Sequence, residues 1–391
     1  MQDPLIAAGV GSIVEVGHVV GRVAGVDPGG RYVAVARGGV VTVHDADAAL
    51  GSVMSCAPAR PFDQLAVRPG GESIAVLGED LTVELWRSDG TVQRLPGSGA
   101  GRDDAEREGR RRSVDFDWEH QRGWLQFTAD GSYLLFGETV LEGPARLNLL
   151  DAATLAHIDG VSAMQSPTIG ETLIKDWGEG VEAACAAAPS TAVAFPAGCG
   201  DDTMVLAVAE VVQDRLRLYG AVPGQTSLAD GIPGERVMGL ALPASGELVV
   251  LDSDECLSAI RWRDPEAGTQ RLASGYQLLR ADDGEPRPLF ATRLRALGTD
   301  DLTVGLNGPV FAWGRLLAVA VEKEQRIAGG WRWQTVGLVF LDLQTGQWLD
   351  FLDLPGAERH EPILIDNGIV HQNIKERTKI SRWLPSSGPE A

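Results

Sequence analysis

The chain has 391 residues, 44% hydrophobic and 23% charged, with a formal net charge of −20. Such a composition excludes a disordered chain, which has too little apolar surface to bury and a higher charge density. The acidity excludes nucleic acid as the main partner, because phosphate binding needs clustered Lys and Arg in a field of the opposite sign.

Length alone predicts two or three ordinary domains, but repeat architectures override that expectation. One unit recurs here: an apolar strand, a tight turn, a second apolar strand and a third, alternating strand. The first copy runs Val23 to Val26, turns at Asp27-Pro28-Gly29-Gly30, and continues through Tyr32 to Ala36 and Val40 to His44. The second has Leu65-Ala66-Val67, the turn Arg68-Pro69-Gly70-Gly71, Ser73 to Leu77, and Leu81 to Trp86. The third turns at Thr128-Ala129-Asp130-Gly131, between Leu125-Gln126-Phe127 and Tyr133 to Phe136, with Arg146 to Leu150 as third strand. A fourth copy fills Ala183 to Tyr219, turning near Pro189-Ser190. The fifth turns at Pro243-Ala244-Ser245-Gly246 and ends in Leu257 to Trp262. The sixth turns at Trp313-Gly314, with Gly337 to Leu341 as third strand. The seventh turns at Asp366-Asn367-Gly368, with Lys379 to Trp383 as third strand. The last copy lacks a fourth strand, and Ile13 to Val16 precede the first copy without a sheet of their own. The expectation is that this N-terminal strand pairs with residues 379–383.

Small antiparallel sheets leave edges and half-buried faces, and radial closure buries those faces against each other. The pattern resembles the WD40 and YVTN-type β-propeller superfamily. Vestiges of a Trp-Asp ending stand at His44-Asp45, Trp86-Arg87, Leu150-Asp151, Trp262-Arg263, Leu341-Asp342 and Trp383-Leu384, and a single Gly17-His18 matches the Gly-His signature. The resemblance implies an all-β chain, one propeller of seven four-stranded blades over residues 1–384; the polar composition of residues 385–391 predicts a disordered tail. The resemblance implies nothing specific about function.

Loop lengths point to one side of the ring. Turns after strands one and three are short, as at Ser88-Asp89-Gly90 and Gln344-Thr345-Gly346, whereas connections after strands two and four hold the insertions. These run Pro96 to Gly123, Gly160 to Gly180, Ser274 to Leu306 and, inside blade six, Glu322 to Gln334. Insertions gathered on one face of a repeat protein mark a binding face. Aromatic residues and arginines there are typical interface anchors. The candidate partner-binding residues are Trp331, Trp333, Arg332 and Arg326 in blade six, Trp118 and Trp177 in other insertions, and the run Arg110, Arg111, Arg112, whose guanidinium forks suit carboxylates.

The channel mouth offers a second reading. Arg22, Asp63, Arg122, Glu182, Arg236, Asn307, His360 and Glu361 stand at or just before inner strands. Asp63, Glu182, Asn307 and Glu361 are oxygen ligands of the kind a hard cation takes, as in metal-dependent propeller hydrolases and lactonases. The three arginines favour internal salt bridging instead, so no metal or cofactor is expected. No Gly-x-Ser-x-Gly and no phosphate-cradling glycine loop occurs. No apolar run approaches the roughly 18 residues of a spanning helix, and residues 1–11 lack the features of a signal peptide. Cys56, Cys185, Cys199 and Cys256 follow no CxxC spacing, which fits reduced thiols in the cytoplasm. The reading is thus a non-catalytic scaffold or adaptor that meets a protein or peptide, with neither nucleic acid nor membrane as partner.

Overall fold

The computed structural model describes residues 12–384, except 59–60, 79, 97–121, 140–145, 163–175, 178–183, 186–189, 199–203, 221–236, 244–245, 265–266, 268, 275–303, 314, 328–329, 355–362 and 375–376. Residues 385–391, the expected polar tail, lie outside this set. The described residues form strands joined by turns and hold no α-helix, and no helix among them is long and apolar enough to cross a membrane.

Seven antiparallel sheets follow one another along the chain. After β1 (Ser12–Val20), blade 1 is β2 (Arg22–Val26), β3 (Tyr32–Arg37), β4 (Val40–Asp45) and β5 (Gly51–Cys56). Blade 2 is β6 (Phe62–Val67), β7 (Ser73–Gly78), β8 (Val83–Arg87) and β9 (Val92–Leu95). Blade 3 is β10 (Arg122–Phe127), β11 (Tyr133–Thr139), β12 (Arg146–Asp151) and β13 (His157–Ser162). In blade 4 the first strand is split into β14 (Asp176–Trp177) and β15 (Ala184–Cys185), both paired with β16 (Val193–Gly198), followed by β17 (Met204–Val212) and β18 (Arg215–Tyr219). Blade 5 is β19 (Val237–Ala241), β20 (Leu248–Asp252), β21 (Cys256–Ile260) and β22 (Thr269–Ser274). Blade 6 is β23 (Val304–Trp313), β24 (Leu316–Ile327), β25 (Gly330–Asp342) and β26 (Gln347–Asp353). Blade 7 is β27 (Ile363–Asp366), β28 (Ile369–Ile374), β29 (Arg377–Leu384) and, as its fourth strand, β1.

The chain is a seven-bladed β-propeller. Its core is a series of inter-blade clusters, and the period of two explains them: alternate residues of each second strand face opposite neighbours. Tyr32 and Ala34 pack with Leu65, Val67, Ile74 and Val76 of blade 2, while Val33 and Val35 pack with Ile369 and Ile380 of blade 7. Blades 2 and 3 meet at Leu77, Leu85, Phe127 and Phe136, and blades 3 and 4 at Trp124 and Phe195, whose ring centroids are 4.9 Å apart. Blades 4 and 5 share a cluster with Leu206, Val208 and Trp262, and one larger cluster runs through blades 5, 6 and 7. Each fully buried aliphatic side chain in these layers contributes about 1.5–3 kcal/mol.

Closure occurs as the missing strand required. β1 pairs antiparallel with β29 from Ser12↔Leu384 and Ile13↔Trp383 to Val20↔Arg377, so it extends well beyond the expected Ile13 to Val16. Thr378 donates from its hydroxyl to the Gly21 carbonyl at 2.5 Å, and Asn367 donates to the Asp27 carbonyl at 3.3 Å. Gly30 has φ +65°, and a Cβ there would lie 2.0 Å from the Asn367 carbonyl oxygen. Only glycine fits that approach of blade 7 to blade 1.

The residues at the ends of the third strands have separate jobs. Asp45 accepts the Asp47 N–H at 2.9 Å, Asp151 the Thr154 N–H at 2.7 Å and Asp342 the Gln344 N–H at 2.8 Å. Each carboxylate therefore caps the turn after the third strand. Trp262 and Trp383 instead fill inter-blade space, against Tyr219 at 4.9 Å and Phe340 at 5.2 Å between centroids.

His371 in β28 is buried, opposite Leu364 and Ile380 in register, and its Nδ1 meets no hydrogen-bond partner among the described residues. Burial alone drives its pKa down to about 4. The unfolded chain, with a histidine pKa near 6.5, then binds more protons between pH 6.5 and 4. Stability present above pH 6.5 is therefore expected to fall by about 2–3 kcal/mol by pH 4.5. Denaturant unfolding at pH 7.5 and 4.5 of wild type and His371→Leu checks this, since carboxylate effects are common to both. Equal pH dependence in the two proteins would remove His371 as the cause.

Candidate functional site

The two ends of the ring differ in how their polar groups are used. On one end, turns after strands one and three are tied together: Ala46 N–H donates to the Arg31 carbonyl at 2.8 Å, Ser88 N–H to Glu72 at 2.9 Å, and Leu343 N–H to Arg315 at 2.9 Å. Bonds toward the same end then join neighbouring blades. Arg68 Nε donates to the Gly131 carbonyl at 2.8 Å, Tyr133 Oη to Asp214 at 2.5 Å and Arg263 Nη2 to Glu210 at 2.6 Å. Arg382 bonds Asp47 across the closing seam. In blade 1 the Arg31 guanidinium grips both carboxylate oxygens of Asp45, at 3.1 and 2.8 Å. That hydrogen bonding holds the Asp45 carboxyl below the usual carboxylate range. Asp27, buried behind the first turn, accepts the N–H groups of Gly29, Arg31 and Tyr32 at 3.0, 2.6 and 2.5 Å, yet burial still pushes its carboxyl up. These inter-blade bonds escape a sequence reading, because their partners lie up to 335 positions apart, as in Arg382 and Asp47.

The opposite end carries the connections after strands two and four, and three expectations there need correction. Glu322 to Gln334 is not a connecting loop. β24 and β25 continue as a hairpin, with Glu322↔Thr335, Glu324↔Trp333, Gln325↔Arg332, Arg326↔Trp331 and Ile327↔Gly330 in register. Strand alternation puts residues 331 and 333 on one face of this ribbon and residue 332 on the other. At the base of the ribbon, Thr335 donates from its hydroxyl to Glu322 at 3.1 Å. Pairing of β23 with β24 begins at Val304↔Lys323, and pairing of β26 with β25 ends at Gly337↔Asp353. Among the described residues, the hairpin therefore runs four residue pairs past its flanking strands, about 13 Å at the usual rise. Trp177, expected in an insertion, belongs to β14 and pairs with Ala197. β23 likewise begins inside the expected Ser274 to Leu306 insertion. Trp118, Arg110, Arg111 and Arg112 lie outside the described residues.

Of the channel-mouth candidates, Glu182, Arg236, His360 and Glu361 lie outside the described residues, and Arg122 starts β10. Asp63 and Asn307 fall where the register of inner strands shifts, between Phe62 and Gln64 and between Leu306 and Val310. Among the described residues no group of three His, Cys, Asp or Glu comes together. Glu255 packs on this side against Gly305 of β23, where an added Cβ would lie 2.1 Å from its carboxylate, and burial raises its pKa.

Arg22 forms no salt bridge with any described residue. It is exposed at the start of β2, beside the seam. The Gly21 carbonyl meets Thr378, and a Cβ on Gly21 would lie 2.6 Å from the Ala36 carbonyl. The chain neighbours of these three residues are Arg22, Arg377 and Arg37, and all three arginines are exposed. Sequence reading misses Arg37 and Arg377, which bound the turns after the second strands of blades 1 and 7.

No protein-family model and no curated protein sequence matches the chain. Solved structures do match. One is the crystal structure of BamB from Moraxella catarrhalis, aligned over 96% of this chain and 94% of that one, at 12% identity and a TM-score of 0.43.

Proposed function

We propose that the chain is a non-catalytic interaction module that meets a protein or peptide partner on its long-loop face, led by the blade-six hairpin. The observation that carries this reading is the ribbon from Glu324 to Trp333, which among the described residues outruns the strands on both sides of it. A two-stranded ribbon is marginal alone in water, and this one holds Trp331 and Trp333. Aromatic residues on such an element gain most when a partner covers them. The opposite end supports the same choice, because its arginines and carboxylates are engaged in holding blades together. The acidic surface favours a protein over a nucleic acid. The buried free thiols Cys56 and Cys256 favour a reducing compartment such as the cytoplasm.

Replacing residues 324–333 by Asn-Gly would close Lys323 onto Gln334 through a two-residue turn. That variant is expected to melt as the wild type does, because the ribbon lies beyond the blade core. In affinity purification from the native host, a stoichiometric protein retained by wild type should be lost with the shortened chain. The same proteins recovered with both chains would remove the hairpin from the contact.

A further inference from the structure

We propose that the seam between blades 7 and 1 carries an acidic-peptide site on the long-loop face, made by Arg22, Arg37 and Arg377 with Val20 and Val40. The five residues come from three segments that the closure brings together. Val20 and Arg22 flank Gly21, Arg37 opens the turn to Val40, and Arg377 pairs with Val20 in register. Val20 and Val40 are each 41% exposed, which is unusual for valine in this molecule, where most valines lie in the blade clusters. The three arginines form no ion pair with any described residue. The nearby Lys379, by contrast, is neutralised by Glu15 at 2.8 Å.

Three guanidinium groups without an ion-pair partner among the described residues, in a chain of net charge −20, form a local cluster of the opposite sign. Its chemistry is complementary to carboxylates spaced by aliphatic side chains: arginine forks bind carboxylates bidentately, and the valines offer apolar contact between them. The turn between Arg37 and Val40 is Gly38-Gly39, with φ of +55° and +82° and open space around both Cα atoms. A peptide backbone can therefore approach that turn closely. A polyanion such as nucleic acid is disfavoured, because the rest of the surface repels it.

This inference rests on the long-loop face being the partner side, but not on the hairpin. The probe is a fluorescein-labelled decapeptide of alternating Glu and Val, followed by fluorescence anisotropy. Wild type is expected to bind it, and more weakly as salt rises. Each of Arg22→Gln, Arg37→Gln and Arg377→Gln should weaken binding by about three- to fivefold, as exposed charge pairs do, and the triple variant by about tenfold or more. Arg217→Gln, an exposed arginine of β18 in blade 4, should change nothing. Melting curves identify any variant that fails to fold, and the single variants carry the test if the triple one does. No binding by wild type would overturn the proposal, as would equal binding by the folded triple variant. Equally tight competition by a thymidine decanucleotide would also overturn it, as a site for anions in general. The hairpin-shortened chain should bind the peptide normally, so the two readings fail separately.

Discussion

Deleting residues 1–20 is expected to lower the melting temperature by roughly 10 °C, more than any single substitution proposed above. β1 supplies the fourth strand of blade 7, in register with β29 from Ser12 to Val20. Its loss strips about six ladder hydrogen bonds, each contributing roughly 0.5–1.5 kcal/mol, and uncovers the cluster where Val19 packs with Val26, Val33, Ile369 and Ile380. The sum is on the order of 6–8 kcal/mol. With an unfolding entropy near 2.1 cal/mol/K per residue, that sum corresponds to the stated shift. The truncated chain also exposes β29 as an unpaired edge, so it should aggregate more readily. Differential scanning calorimetry and light scattering measure both effects. Unchanged melting would show that the ring does not depend on this strand.

Trp331→Ala and Trp333→Ala are each expected to cost about 2 kcal/mol or more of partner binding, roughly a thirtyfold loss in affinity. Both sit on β25 in the part of the hairpin that outruns its neighbours, opposite Arg326 and Glu324. Tryptophan offers a large contact area with few rotatable bonds, so ordering it at an interface costs little entropy. Truncation leaves the blade-six core from Val336 to Leu341 untouched, and the fold should survive. The control is Asp89→Ala. Asp89 accepts the Thr91 N–H at 2.9 Å in a short turn on the opposite end, so its loss should leave binding intact. Titration calorimetry with the purified partner gives the comparison. Normal binding by both tryptophan variants, with affinity lost in the Asp89 variant, would mean the partner uses the other end.

The fold was readable because its signals are local and repeated. Asp27-Pro28-Gly29-Gly30 and Arg68-Pro69-Gly70-Gly71 announce the same turn, and the three-strand last copy demanded a strand from elsewhere. The hairpin escaped because its tip reads as an insertion by length, although Gly329-Gly330 between two alternating runs is itself a hairpin signal. β14 escaped for another reason: two residues carry no periodicity. Arg37 and Arg377 were invisible, since only ring closure sets them beside Arg22. No local pattern encodes such a meeting.

The pairing of β1 with β29 also sets a timetable. During synthesis the first strand emerges more than 350 residues before its partner, and at 5–20 residues per second that gap lasts roughly 20–70 s. Through that interval blades 1 to 6 can stack in order, each on the one before, while the strand that must finish the ring has nothing native to pair with. Its final docking is a long-range contact with a high entropic threshold. A second nascent chain nearby offers the same unpaired edge, so exchange of first strands between copies is the natural folding error of this architecture.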